Sequence, residues 1–302
     1  MAEGASAAEG IFMLKLFAGS LTAMSALLLW TAAFADAESP SDLTRRLLQE
    51  AVAEPSNPAK VDNLIKVLVE MPVGSGRYVV EGDISIAREE IVDYLKSLKN
   101  PNIANSRSDE LIVNLVGGKF DYWKTPEQRK LTYGFDEKSF PAADKLEFTR
   151  AKFRAAADDW VAACPDCGIS FTEVAVNPFF KIKYEPTSDG TIAMSFFPSS
   201  PPSDRFLYVY KPFLAEDLQF DPVGVLRHEI GHILGYRHEH IANIPGCATE
   251  GTSWKPITPY TPNSVMHYFC GGKGSLDLAL RDADKRGHRC LYQTGTACPA
   301  SN

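Results

Sequence analysis

Eleven residues, His228 to His238, constrain the fold of this chain more than any other part of its sequence. The first two of their three histidines are four residues apart, so on a helix both side chains would lie on one face. Asp221 followed by Pro222 predicts the start of that helix, because aspartate caps free N–H groups and proline fits the first turn. Gly235 predicts its end, since glycine readily adopts the left-handed conformation that turns the chain back.

The same segment predicts a catalytic metal site. The turn would bring a third imidazole toward the first two, and three histidines with an open fourth position are typical of catalytic zinc, whereas closed structural sites more often use cysteine. A glutamate beside the first histidine lies close enough to take a proton from bound water. We therefore predict one Zn²⁺ ion with the ligands His228, His232 and His238, and Glu229 as the general base. His240 is an alternative third ligand.

Two motifs carry a resemblance to a known clan of enzymes. The run from His228 to His238 resembles the extended zinc-binding motif of the metzincin metalloproteases at every defined position. The segment Ser264 to Tyr268 is similar to the Met-turn that lies beneath the zinc in that clan. Within the clan the chain most resembles the astacin family, with the matrixins as second choice. The resemblance covers about residues 120 to 295 and implies hydrolysis of internal peptide bonds.

The astacin resemblance also implies roles for single residues. Met266 would pack beneath the metal without binding it, and Tyr268 would be a displaceable ligand that helps to stabilise the oxyanion. Glu239 would anchor the N-terminal segment of the mature enzyme. The continuation from His240 to Asn243 departs from the family's usual sequence, so a surface charge is the alternative for Glu239.

A latency switch is predicted in the N-terminal part of the chain. The segment Val80 to Ile84 resembles the astacin propeptide element in which an aspartate occupies the zinc, although Val80 stands where the family prefers phenylalanine. A carboxylate is an ordinary zinc ligand, so the resemblance implies that Asp83 blocks the site in the precursor. An ordinary Gly-Asp turn after a strand is the alternative. The cysteine switch of matrixins is absent from the sequence.

The chain is predicted to have three parts: a signal peptide (1–37), a propeptide-like α/β domain (38–118) and a catalytic domain (119–302). Residues 16–35 carry no charge, and the small residues that follow suit signal peptidase. An uncleaved membrane anchor is the alternative for this leader; otherwise we expect no stable membrane association. A ligand-binding domain is the alternative for the second part.

Composition indicates a folded, exported protein. Hydrophobic residues make up 45% of the 302 residues, which is enough for a packed core. The net charge of −7 provides no basic surface for nucleic acid. Six cysteines in an exported chain predict three disulfides. Cys164 and Cys167 are close enough to bridge locally, and the pairing of the other four cysteines is open.

The predicted fold class is α+β, in which a long helix capped by Asp144 backs a twisted, mainly antiparallel sheet. Strands are predicted at 131–135, 169–174, 180–184, 191–197 and 206–210. The fourth of them is a candidate edge strand that would pair with an extended substrate.

The sequence thus predicts a secreted zinc metalloendopeptidase made as a zymogen, whose partners are protein or peptide substrates. A catalytically silent, secreted zinc-containing binding protein is the alternative function. The presence of Glu229 together with all three histidine ligands favours the enzyme.

Overall fold

The computed structural model describes residues 40–99, 111–186, 190–239, 254–259, 261–267 and 274–298, which all belong to one compact unit that begins at Pro40. No helix among these residues is both long and apolar enough to cross a membrane. The predicted signal peptide and its alternative as an anchor lie outside the described residues, as do His240 and Tyr268. Their roles remain predictions.

The chain combines helices with strands throughout, which confirms the predicted α+β class. The helices are α1 (Pro40–Ala53), α2 (Pro58–Ile65), α3 (Ile91–Lys99), α4 (Ala143–Ala163), α5 (Pro222–Ile233) and α6 (Asp282–Arg289). The strands are β1 (Arg77–Glu81), β2 (Ile84–Ala87), β3 (Ile112–Val116), β4 (Lys119–Phe120), β5 (Lys130–Phe135), β6 (Ser170–Glu173), β7 (Phe180–Glu185), β8 (Ala193–Met194), β9 (Phe206–Tyr210), β10 (Tyr236–Arg237) and β11 (Trp254–Pro256).

In the N-terminal part, which the structure describes over residues 40–99, three α-helices accompany a β-hairpin. Asn57 caps α2, since its side chain accepts a hydrogen bond from the Ala59 N–H at 3.2 Å, and Pro58 fits the first turn. β1 and β2 pair antiparallel, and Gly82 (φ +53°) and Asp83 form the turn between them. The helices enclose a small apolar core of Ala51, Val61, Leu64, Ile65, Ile91 and Leu95.

Strand β3 is hydrogen-bonded to strands from the C-terminal half of the chain. It pairs antiparallel with β10 on one side and with β11 on the other. Leu111 and Val113 are fully buried in the larger hydrophobic core of the molecule. The domain boundary after residue 118 stays a prediction, but the strand just before it pairs with the predicted catalytic domain.

The larger sheet has the strand order β6-β5-β7-β9-β8. β5 is parallel to β6 and β7, β7 is parallel to β9, and β8 alone among these described strands runs antiparallel to its neighbour. The expectation of a mainly antiparallel sheet is therefore wrong. Helix α4 returns the chain between β5 and β6, whereas β7 begins beside Tyr133, where β6 ends, and so continues in the same direction. β8 lies at the edge as predicted, although it is shorter than the segment 191–197.

Helix α4 follows β5 in the chain and packs against α5. It begins at Ala143 after Ala142, so Asp144 lies inside the first turn and the prediction that it caps the helix is wrong. Its side-chain carboxylate still suits the positive end of the helix dipole. Trp160, on the buried face of α4, donates a hydrogen bond from Nε1 to the carbonyl oxygen of Arg227 on α5 at 2.8 Å. The buried Trp160 thus fixes α5 against α4.

The N-terminal part contacts the edge of the larger sheet at two places. Met71 packs against Met194 of β8 and Tyr210 of β9 in a small buried cluster. Arg77 of β1 forms an ion pair with Asp204, in the loop before β9. Together these contacts place the β1–β2 hairpin beside the strand edge at which a substrate was predicted to bind.

Two disulfides lie within the described residues. Cys164 pairs with Cys167, which confirms the predicted local bridge. Cys290 at the end of α6 pairs with Cys298. Cys247 and Cys270 lie outside the described residues, so the third predicted disulfide is untested.

Candidate metal centre

Helix α5 presents the first two histidines of the site. Asp221 caps it by accepting a hydrogen bond from the Val223 N–H at 3.1 Å, and Pro222 occupies the first turn, as predicted. From Gly224 to the C-terminal end, every residue of the helix is buried. His228 and His232 lie one turn apart with ring centroids separated by 5.0 Å. A buried helix therefore carries both imidazoles on one face.

The turn after α5 returns the chain toward these two histidines. Gly235 has φ +100°, and a Cβ atom there would lie 2.0 Å from the carbonyl oxygen of Asp121, so a larger residue would be both strained and obstructed. β10 follows at once and pairs with β3. His238 then comes within 5.2 Å of the His228 ring and 4.8 Å of the His232 ring, centroid to centroid. The predicted left-handed turn is thus confirmed.

Backbone carbonyls orient two of the imidazoles. His228 Nδ1 lies 2.7 Å from the carbonyl oxygen of Val265, and His232 Nδ1 lies 2.8 Å from that of Tyr236. Because a carbonyl oxygen only accepts, each Nδ1 must carry the proton. In the neutral ring the lone pair of Nε2 then faces the site, which is the form that binds a metal.

The carboxylate of Asp83 lies among the three imidazoles. Its Oδ2 is 3.2 Å from His228 Nε2, and its Oδ1 is 3.5 Å from His232 Nε2 and 2.9 Å from His238 Nε2. One ligand atom from each of the four residues lies within 4.8 Å of all the others. All four side chains are buried. The hairpin turn of the N-terminal part therefore reaches the predicted metal site.

The four residues affect each other's protonation. Burial alone would raise the pKa of Asp83, but the nearby His238 and His232 lower it well below its usual value. Burial lowers the pKa of His232 to about 4, against the opposing effect of the Asp83 charge. The carboxylate is thus kept ionised, and His232 is favoured in the neutral form that a metal ligand requires.

This donor set fits zinc. Zinc binds imidazole nitrogen and carboxylate oxygen at about 2.0–2.2 Å, and a tetrahedral arrangement with such bonds separates the ligand atoms by roughly 3.3–3.5 Å. The three contacts of the Asp83 carboxylate with the imidazoles, 2.9 to 3.5 Å, approach that spacing. His228, His232, His238 and Asp83 could therefore hold one ion between them.

Glu229 lies on α5 next to His228 and is 2% exposed. Burial raises its pKa well above the usual value, and the negative charge of Asp83 raises it further, against the opposing effect of His238. The same cavity is lined by Glu229, His228 and Asp83. The predicted general base therefore lies at the same site as the predicted ligands.

The predicted Met-turn packs directly against α5. Met266 is fully buried, and a Cβ atom on Gly231 would lie 2.3 Å from its Sδ atom. Gly231 lies between the two histidines of α5, so the methionine packs against the backbone that carries them. Among the predicted site residues, Tyr268 lies outside the described residues and stays a prediction.

Helix α6 holds the Met-turn through Asp284, a residue that the sequence analysis missed. Its buried carboxylate accepts hydrogen bonds from Ser264 Oγ at 2.6 Å and from the Val265 N–H at 3.3 Å. The carbonyl of Val265 in turn accepts from His228. The sequence signal for Asp284 was limited to an acidic residue in the first turn of a polar helix, which is common at helix N-termini.

Helix α6 also contacts Tyr236, whose backbone carbonyl orients His232. The hydroxyl of Tyr236 lies 2.8 Å from Nδ1 of the buried His288, and the Tyr236 ring stacks on Trp160 with centroids 5.4 Å apart. Burial, together with Arg289 and Arg129, lowers the pKa of His288 to about 3. His288 is therefore a neutral packing residue whose Nδ1 accepts a hydrogen bond from the Tyr236 hydroxyl. No spacing in the sequence predicts this contact.

Glu239 is buried directly after the third histidine. It is 1% exposed, and its Oε1 accepts a hydrogen bond from the Thr261 N–H at 3.1 Å. Its own N–H donates to the carbonyl oxygen of Met266 at 2.8 Å. The alternative of a surface charge is therefore wrong for Glu239.

Comparisons with known proteins give matches only at the level of structure. No protein-family model matches the chain, and no curated protein sequence does. The chain is similar to a structure of myroilysin at 18% identity and a TM-score of 0.42, over 60% of this chain and 98% of the other. A second myroilysin structure matches at 17% identity and a TM-score of 0.39, over 58% and 86% of the two chains.

A third similar structure is that of high choriolytic enzyme 1, a hatching enzyme zinc-protease from the medaka fish Oryzias latipes. The identity is 14% and the TM-score 0.37, over 57% of this chain and 94% of the other. At such identities and scores, a function has to be inferred from the side chains of the site.

Proposed function

We propose that this chain is the precursor of a secreted zinc endopeptidase in which His228, His232 and His238 bind one Zn²⁺ ion. The observation that carries the proposal is the convergence of three imidazole nitrogens on one buried carboxylate, with spacings that suit zinc. Two disulfides support export, because such bonds persist mainly in oxidising compartments. Protein or peptide substrates fit the sheet edge at β8, which the N-terminal part covers in the precursor.

Glu229 is the general base of the proposed reaction. Zinc, when bound, would polarise the scissile carbonyl and lower the pKa of a water molecule. Glu229 takes the proton of that water and later passes it to the leaving amine. Helix α5 fixes its position beside His228, and Met266 packs against the helix at Gly231. Tyr268 is proposed to stabilise the oxyanion, a role that rests on the Met-turn resemblance.

Asp83 keeps the precursor inactive. Its carboxylate takes the place at which water would be activated, because it contacts all three of the proposed ligands. Removal of the N-terminal part that carries the β1–β2 hairpin would vacate that position. Glu239 is then proposed to bind the new amino terminus, since its buried carboxylate follows His238 directly.

The variant Glu229→Gln tests the proposed reaction. It is made in the full-length, zinc-loaded chain that also carries Asp83→Ala, with the Asp83→Ala chain as reference. We expect unchanged zinc content by metal analysis and a loss of casein or peptide cleavage of about 10²–10⁴-fold, since a proton-transfer catalyst is removed. Undiminished cleavage by this variant would exclude Glu229 from the mechanism.

The variant Asp83→Ala tests latency by itself. We expect chelator-sensitive cleavage by the intact precursor, whereas the parent chain is inactive until processed. Asp93→Ala is the matched control, because Asp93 is an exposed acid of the same N-terminal part whose partner is Lys96. A precursor as latent as the parent would argue against an aspartate switch while leaving the catalytic site in place.

The same experiments address the silent zinc-binding protein. That alternative predicts bound zinc without cleavage in the Asp83→Ala chain and in the processed chain alike. Chelator-sensitive cleavage of internal bonds in either form excludes it.

A further inference from the structure

His288 on α6 is a fully buried imidazole that lies outside the proposed zinc site. Its Nδ1 accepts a hydrogen bond from the Tyr236 hydroxyl at 2.8 Å, so in the neutral ring the proton is on Nε2. Within the described part of the chain, this Nε2 has no hydrogen-bond partner. A buried N–H group without a partner lowers the stability of the fold. An apolar side chain would fill the same space without that cost, so packing alone does not explain a histidine here.

Tyr236, the partner of His288, lies between two of the proposed zinc ligands. Its carbonyl oxygen accepts a hydrogen bond from Nδ1 of His232 at 2.8 Å. Strand β10 consists of Tyr236 and Arg237, and His238 follows it directly. A displacement of Tyr236 would therefore move both the acceptor that orients one ligand and the backbone that carries another.

Two kinds of contact hold the Tyr236 side chain. Its ring stacks on Trp160 with centroids 5.4 Å apart and an interplanar angle of 13°, and a stacked ring can shift in its own plane. The hydrogen bond to His288 is directional, so it fixes the hydroxyl end of the ring. Burial raises the pKa of Tyr236 well above its usual value, so the hydroxyl keeps the proton that it donates.

Other buried donors fix the end of α5. Trp123 donates a hydrogen bond from Nε1 to the carbonyl oxygen of Ile233 at 2.9 Å. The hydroxyl of Tyr292 donates to the carbonyl oxygen of Leu234 at 2.8 Å. Both acceptors lie at the end of the helix, where carbonyl groups have no partner further along the helix. The helix is therefore held in place without His288, and the contact of His288 acts on β10.

We propose that His288 is a positioning residue of the zinc site, because it fixes Tyr236 and thereby the carbonyl that orients His232. The backbone that leads to His238 is fixed by the same contact. His288 acts through a hydrogen bond, without itself binding the metal. The inference rests on the proposed zinc site and adds a residue whose replacement weakens metal binding although every ligand is retained.

Two substitutions of His288 separate the hydrogen bond from the packing. His288→Leu keeps an apolar side chain but has no acceptor, whereas the amide oxygen of His288→Asn can take the place of Nδ1. In the full-length chain, chelator competition should give a zinc dissociation constant about tenfold higher for His288→Leu, as expected when an outer partner of a metal ligand is lost. His288→Asn should stay within about threefold of the parent, since it retains the acceptor. An equal loss in both variants would assign the effect to packing and overturn the proposal.

Thr149→Val is the matched control. The Thr149 side chain is fully buried like His288, but its hydroxyl donates to the Lys145 carbonyl oxygen within α4 at 2.8 Å. The unfolding free energy should therefore fall in this variant while zinc affinity stays unchanged. A loss of zinc affinity equal to that in His288→Leu would mean that reduced stability, rather than a displaced Tyr236, weakens the site.

Tyr236→Phe tests the same contact from the other partner. It should weaken zinc binding about as much as His288→Leu, and the double variant should lose no more than either single variant, since all three lack the same hydrogen bond. The double variant also lacks both polar partners, so its metal-free unfolding free energy should stay close to that of the parent. Additive losses of zinc affinity, or parent affinity in the double variant, would contradict the proposal.

Failure of this proposal can be told apart from failure of the proposed function. If the parent chain binds no zinc, the zinc site itself fails. If the parent binds zinc and both His288→Leu and Tyr236→Phe bind it equally well, only the role of His288 fails. Tyr236→Phe deletes a single oxygen atom, so it tests the contact even if His288→Leu does not fold.

Discussion

Gly231 shows how closely the metal site is packed at the level of one residue. It lies between His228 and His232, and a Cβ atom there would be 2.3 Å from the sulfur of Met266. Gly231→Ala must displace the methionine or α5, so we expect the free energy of unfolding to fall by about 1–3 kcal/mol. Zinc affinity should fall as well, because both histidines move with the helix. Denaturant unfolding and zinc titration against a competing chelator measure the two effects.

Met266→Ala provides the control for this contact. Met266→Ala removes the sulfur atom with which the Cβ atom of Gly231→Ala would clash. The double variant should therefore lose less unfolding free energy than the sum of the losses in the two single variants. Additive losses would mean that Gly231 and Met266 do not constrain each other.

At this scale, the sequence predicts the geometry of residues that are close in the chain. The spacing of His228 and His232, and the glycine after them, determines their geometry through helix and turn rules alone. Asp83 is different, because it reaches the histidines from a separate part of the chain and only the family resemblance indicated it. His288 and Asp284 have no motif, so their buried contacts appear only in the folded structure.

At the scale of elements, α6 is hydrogen-bonded to the predicted Met-turn through Asp284. Asp284 accepts from Ser264 and Val265, and the carbonyl of Val265 accepts from His228. Asp284→Asn replaces one acceptor oxygen by an amide donor and leaves a buried N–H group without its partner. We expect a loss of about 1–3 kcal/mol in unfolding free energy and of about 10–100-fold in zinc affinity.

The control for Asp284→Asn is Asp282→Asn in the same helix. Asp282 is exposed in the first turn, so its substitution should change zinc affinity little while removing the same charge. Chelator competition on both variants compares them. Equal affinities would show that the Met-turn holds its position without Asp284.

The elements themselves were predicted better than their arrangement. β5, β7 and β9 agree with the predicted segments to within one residue at each end, because alternating apolar residues and flanking turns mark a strand. That alternation reads the same in both directions, so it carries no information on whether neighbours are parallel. The parallel pairing of β5 with β6 follows instead from α4, which carries the chain back between them.

At the scale of the whole molecule, latency depends on contacts far from the metal site. Asp83 is held in place by a hairpin whose own attachments are Met71 against β8 and Arg77 with Asp204. These contacts keep the carboxylate at a high effective concentration beside the histidines. Weakening one of them should therefore raise the fraction of precursor in which the site is open.

Arg77→Ala tests this coupling between attachment and latency. Arg77 pairs with Asp204 across the two parts and also donates to the Ser85 carbonyl oxygen at 2.6 Å, so the variant loosens the hairpin without touching the metal site. We expect the intact, zinc-loaded precursor to cleave a reporter peptide several-fold faster than the parent and more slowly than Asp83→Ala. Gel analysis must show that the chain stays uncut during the assay.

Arg88→Ala is the matched control, since Arg88 pairs with Asp62 within the N-terminal part and both side chains are about half exposed. Such a surface pair contributes little, so this precursor should stay as latent as the parent. Equal rates for Arg77→Ala and Arg88→Ala would mean that Asp83 stays in place without the Arg77 contact. Latency would then depend on the affinity of the carboxylate for the metal site and on the Met71 contact, and activation would require cleavage of the chain rather than loosening of the hairpin.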